Sequence, residues 1–127
     1  MTEGVTQTIL VGDPSGRLGN CLQAAVATIL GLPLDEVPHF AEVDHWSQAL
    51  ADFAHEHGYA TVWTDGESRV PALGLAFGPT VRSADIVHAV AVVNGQFWDP
   101  HPSRAGLTSV TTYVRWTPLA DLGGDLS

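Results

Sequence analysis

Apolar residues recur at helical spacing in the first half of the chain and at alternating or continuous positions in the second, with the period changing near Gly58. Residues 1–10 alternate weakly, with Val5, Gln7, Ile9 and the following Val11 on one side, which suits a short strand or an extended arm. A turn-rich loop from Gly12 to Gly19 follows. Leu22, Ala25, Val26, Ile29 and Leu30 then share one face of a predicted helix over 21–30, with Asn20 placed to cap its start and Gly31 just past its end. Pro33 suits the first turn of a short helix through Leu34, Asp35, Glu36 and Val37, which Pro38 stops. Asp44 is placed to cap a third helix. Its stripe of Trp46, Ala49, Leu50, Phe53, Ala54 and His57 is expected to face the core, and Gly58 closes it.

Beyond Gly58 the pattern predicts strands over 59–64, 73–77 (weakened by Gly74), 87–93, 96–99 and 109–116. Asn94 and Gly95 between two such runs are the signature of a two-residue hairpin loop. Helices first and strands second predict an α+β fold, with N-terminal helices packed on an antiparallel sheet. A chain of 127 residues has the size of one domain. The expected organisation is a single domain over 1–127, with an N-terminal arm and loop over 1–19 and a frayed tail over 120–127.

Composition narrows the function. The chain is 45% hydrophobic and 15% charged, which argues for a packed core. It carries 14 acidic residues against 5 basic ones, a formal charge of -9, so a phosphate-tracking nucleic-acid surface is not expected. All the basic residues are arginine; with no lysine there is no Schiff-base amine and no P-loop cation. The chain has no apolar run long enough for a membrane span and no basic-then-apolar start, so a cytoplasmic protein is expected, without membrane partners. The single cysteine, Cys21, allows neither an internal disulfide nor a CxxC metal knuckle.

A lone cysteine in a small domain is most often a core residue. Cys21, however, opens a predicted helix, where unpaired amides and the helix dipole favour a thiolate and would lower its pKa. Its own N–H is also available to an oxyanion. With Asn94 and Gly95 as the loop, Val93 opposes Gln96, Ala91 opposes Trp98 and Val90 opposes Asp99. His88 and Asp99 then become diagonal neighbours on one face, about 7 Å apart at the backbone. A carboxylate holding one imidazole nitrogen leaves the other free to act on a nucleophile. His101 falls on the same face as a reserve candidate. His55 and His57 are spaced wrongly for a zinc-binding helix. His39 and His45 could join Asp44 at a metal, but solvated loop histidines are commoner. No metal or other cofactor is expected.

The run from Gly19-Asn20-Cys21-Leu22-Gln23 to Val37-Pro38-His39-Phe40, with His88-Ala89-Val90 and Trp98-Asp99-Pro100-His101 later, resembles small phage and bacterial proteins of the papain-like cysteine peptidase superfamily. The resemblance spans roughly Gln7 to Leu107. It implies a minimal papain-like fold with Cys21 as nucleophile, His88 as base and Asp99 as orienting residue. It also implies a thioester-forming hydrolase acting on a peptide, isopeptide or other amide or thioester. Papain-like enzymes usually carry an oxyanion-hole glutamine a few residues before the cysteine, where this chain has Ser15. Gln7 is the nearest upstream glutamine and can serve only if the loop folds back; Asn20 is held in reserve beside the Cys21 N–H. Two alternatives keep the same fold: an inactive binding module engaging a host protein, and an acyl transferase or deamidase of transglutaminase type.

Overall fold

The protein is described here by a computed structural model covering residues 4–12 and 14–123. It is an α+β structure with helices at the N-terminus and a five-stranded antiparallel sheet. Helix α1 (Cys21–Leu30) and helix α2 (Trp46–Glu56) flank two 3₁₀ turns, Leu34–Glu36 and Phe40–Glu42. Strands β1 (Tyr59–Asp65), β2 (Leu73–Thr80), β3 (Ser83–Val93), β4 (Gln96–Trp98) and β5 (Thr112–Pro118) follow, and a short helix α3 (Leu119–Gly123) ends the described chain. The sheet order is β1-β5-β2-β3-β4.

Alternation along the central strands separates two cores. Leu75, Phe77, Ala89, Ala91 and Val114 face α1, where Leu22, Ala25, Val26 and Ile29 cover them. Ala89 and Ala91 are small, and they let the helix lie close to the strand that carries His88. The opposite face buries Ala76, Val90, Val92 and Tyr113 beneath Leu107 and Val110.

The β3–β4 hairpin has the expected register, with Ala91 opposite Trp98 and Val93 opposite Gln96. Both loop residues take positive φ, 53° at Asn94 and 74° at Gly95, the conformation that this dipeptide favours. The N-terminal segment takes the second of its two expected forms, an extended arm, over residues 4–10. Other boundaries differ from the pattern. Strand β3 begins at Ser83, because a tight turn at Val81 and Arg82 pairs Thr80 with Ser83 across polar residues that mask the alternation. Strand β5 runs over Thr112–Pro118 and not 109–116, since the Thr111 N–H and hydroxyl both turn to the Phe77 carbonyl. Pro118 is tolerated at the strand end, and Leu119–Gly123 is helical where a frayed tail is expected; residues 124–127 lie outside the described residues.

The helix starts are also built differently. Neither Asn20 nor Asp44 caps a helix with its side chain. Asn20 is occupied elsewhere, and the residue before α2 is His45, at φ 54°. In the α2 stripe Leu50 and Ala54 are buried, but Trp46 is 37% exposed.

Gly74, in the middle of the sheet, allows β5 to approach: a Cβ there would sit 2.1 Å from the Val114 carbonyl oxygen. Gly74→Ala is expected to destabilise the fold by about 1–3 kcal/mol, read from urea or thermal denaturation.

Candidate active site

The site begins where a β ladder stops. Residues flanking a two-residue hairpin loop form a hydrogen-bonded pair, so Val93, Ala91 and Ala89 all turn their amides toward the β4 side. Ala89 would next meet residue 100. β4 ends at Trp98, and the Pro100 carbonyl, which a continued ladder would offer to the Ala89 N–H, accepts the Gln7 N–H instead at 3.0 Å; Pro100 also has no N–H to return to the Ala89 carbonyl. The Cys21 sulfur takes the Ala89 amide, whose N–H donates to Sγ at 3.4 Å. Because Ala89 N is bonded to the His88 carbonyl carbon, the sulfur lies within about 6 Å of the His88 Cα.

His88 and Asp99 are both buried, and His88 Nε2 donates to Asp99 Oδ1 at 2.6 Å. The diagonal pairing expected from the hairpin register is thus formed. Facing a carboxylate, the ring carries a proton on Nε2 and turns Nδ1 to its other side. Asp99 also accepts the His101 N–H at 2.9 Å on Oδ1 and the Gly106 N–H at 2.8 Å on Oδ2. Burial pulls its carboxyl up, but the bonds from His88, His101 and Gly106 outweigh it and hold the pKa below the ordinary carboxylate value. Arg104 braces this corner by donating to the Asp99 and His101 carbonyls, at 3.2 and 2.7 Å, and to the Thr6 hydroxyl, with its guanidinium 4.2 Å from the centre of the Trp98 ring.

The N-terminal arm folds back beside the start of α1, as a role for Gln7 requires. Asn20 holds it there. Its Oδ1 accepts the Thr8 and Ile9 N–H groups at 3.0 and 2.8 Å, its Nδ2 donates to Thr8 Oγ1 and Gln23 Oε1, and its own N–H donates to the Ile9 carbonyl. Every polar atom of the Asn20 amide is therefore engaged, and it offers no donor to an oxyanion. Gln7 is buried on the same cleft as Cys21. One of its amide hydrogens goes to the Ile9 carbonyl at 2.9 Å, and its Oε1 is buried without a partner.

The thiol departs from expectation. Burial pushes the Cys21 pKa up, further than the amides of Ala89, Leu22 and Cys21 itself bring it down, and the Asp99 charge adds to the rise. The sulfur is thus protonated at neutral pH. Its hydrogen bond comes from an amide, and no thiol–imidazole hydrogen bond is formed.

Cys21, His88, Gln7 and His101 line one cleft of about 860 Å³. The His101 ring stands edge-on to that of His88 at 6.3 Å, and its Nδ1 accepts the Ser103 N–H. Burial and Arg82 hold its pKa below the ordinary imidazole value. His39 is not a solvated loop residue: its side chain is 9% exposed and its Nε2 donates to the Leu18 carbonyl. Among the described residues no three His, Cys, Asp or Glu side chains converge as a metal site would require, and no helix is long and apolar enough to cross a membrane.

The pattern along the chain gives no notice of the Ala89 amide, the Arg104 brace or the aromatic wall of the cleft. The wall comprises Trp46, Trp63 and Phe77; Trp63 and Phe77 are stacked at 5.9 Å and 9°, and Trp46 packs against both. No protein-family model, curated protein or solved structure matches the chain.

Because the folded Asp99 pKa is lowered, its carboxylate adds stability above the unfolded-state pKa, and this is lost as pH falls through the folded value. Asp99→Asn is expected to cost about 2–3 kcal/mol at pH 7, with the gap closing toward pH 3, in urea denaturation at the two pH values.

Proposed function

We propose that the protein is a papain-like cysteine hydrolase acting on amide or thioester carbonyls through Cys21, His88 and Asp99. The observation that carries this reading is the buried His88–Asp99 bond bordering the same cleft as Cys21, with the thiol held on the amide that follows His88.

The reaction starts from the protonated thiol, with His88 Nδ1 as the acceptor of its proton. As Sγ bonds to the substrate carbonyl carbon, the thiol proton passes to His88 Nδ1, and the carbonyl π electrons move onto oxygen. Asp99 steadies the imidazolium. The oxyanion is met by the Cys21 N–H and by the second amide hydrogen of Gln7. Collapse breaks the bond to the leaving group, which takes the proton from His88 and departs, leaving an acyl thioester on Cys21. Water then attacks the thioester, gives a proton to Nδ1, and releases the acid and the thiol. Burial of the thiol gives the base a larger part than it has where a thiolate is already formed. The proton must leave sulfur during attack and has the imidazole to go to.

The raised thiol pKa also favours a second reading, a catalytically inactive module of the same fold in which Cys21 is a core residue and the cleft binds a protein partner. One experiment separates the two. The protein is mixed with a p-nitrophenyl ester of an N-acetyl amino acid, and acylation is followed by the p-nitrophenolate burst and by intact mass. A hydrolase gives a burst with one acyl group on Cys21, which Cys21→Ala abolishes and His88→Ala slows about 100-fold to 10,000-fold. Gln7→Ala is expected to slow it about 100-fold. An unacylated protein would leave the binding module as the account.

A further inference from the structure

The cleft carries information about the substrate. Phe77 opposes Ala89 across the β2–β3 ladder, and directly opposed residues share a face with Cβ atoms about 5 Å apart. The aromatic wall therefore begins next to the position whose amide holds the sulfur. It continues to Trp63 on β1 and Trp46 at the start of α2, both of which remain open to solvent at 46% and 37%. Large aromatic surfaces exposed together around a concave site are unusual on a free surface and suit a bound apolar group. The charge pattern agrees. The chain is strongly acidic, yet among the described residues lining the cleft there is no carboxylate, and the permanently charged side chain there is Arg82.

The sheet order then gives the wall a direction. It belongs to the β1–β5–β2 side of the sulfur, whereas His88 turns toward Asp99 at the end of β4, on the opposite side. Arg82 reaches that second side, donating to Ser103 Oγ. A leaving group protonated by His88 must depart on the His88 side, so the acyl portion that stays on sulfur rests toward the wall.

Resting on the hydrolase reading, we propose that the substrate's acyl residue, the one bearing the attacked carbonyl, carries a bulky aromatic side chain that seats against Trp46, Trp63 and Phe77. A cationic acyl side chain is excluded, since the wall provides no carboxylate to replace its water. Burial of a phenyl group of this size corresponds to about 10–100-fold in specificity over alanine.

The test uses N-acetyl-phenylalanine, N-acetyl-alanine and N-acetyl-lysine coumarin amides with the wild-type protein. In parallel, the matching N-acetyl amino-acid amides are titrated into Cys21→Ala, followed by tryptophan fluorescence. The expected result is a kcat/KM for phenylalanine at least tenfold above those for alanine and lysine. The same order should appear in binding, and Trp63→Ala should reduce the phenylalanine preference to less than threefold in both. Hydrolysis without that preference, or with lysine favoured, overturns the substrate assignment and leaves the hydrolase reading standing. Absence of hydrolysis with a tenfold phenylalanine preference in binding keeps the cleft assignment and removes the hydrolase reading. Absence of both overturns both.

Discussion

The β3–β4 ladder stops after Trp98, and in this protein the backbone groups it leaves unpaired organise the site. Pro100 falls where β4 would have continued along β3, and three consequences meet there. The Ala89 amide is released to the Cys21 sulfur, the Pro100 carbonyl is released to the Gln7 amide, and the chain turns so that Asp99 faces His88. Cys21, His88, Asp99 and the arm bearing Gln7 are thus tied to one backbone corner, which Arg104 braces from outside. The hydrophobic core fixes only where α1 and the sheet lie. Termination of the ladder brings their polar ends together.

The electrostatics of that corner are a balance of opposed effects. Three amides approach the sulfur and favour its charged form, while burial and the Asp99 carboxylate favour the neutral one and prevail. At Asp99 the same competition has the opposite outcome, because three N–H donors reach the carboxylate and one of them belongs to an imidazole. Hydrogen bonds to a carboxylate are stronger than those to a soft sulfur, so one buried environment keeps oxygen ionised and sulfur protonated. A carboxylate fixed beside an imidazole is suited to stabilising positive charge on the ring.

Much of this fold was readable from the chain. The α1 stripe, the Asn94-Gly95 hairpin and the pairing of His88 with Asp99 all follow from side-chain periodicity, which is strict wherever a face is buried. The pattern was less informative where polar residues lie in strands, as at Ser83 and Asp85, and where hydroxyls take over ladder bonds, as at Thr111. Asn20 illustrates a further limit. Its position before a helix suggests a cap, but the amide is consumed by backbone groups of the arm, a choice that depends on tertiary placement. The thiol pKa was misjudged for a related reason: a helix start is visible in the sequence, and the depth to which neighbouring loops bury it is not. The aromatic wall could not be read either, since Trp46, Trp63 and Phe77 come from separate elements and meet only when β1 and β2 are assembled around β5.

A sulfur kept protonated has a consequence for the life of the protein. Peroxide and mixed disulfides react with thiolates, so an exposed low-pKa cysteine is steadily lost to sulfenic acid and adducts. Cys21, whose pKa burial raises, is shielded from that chemistry. Burial at this corner therefore preserves the protein's one thiol: the Cys21 sulfur rests on the Ala89 amide next to His88, and desolvation withholds the form that oxidants attack.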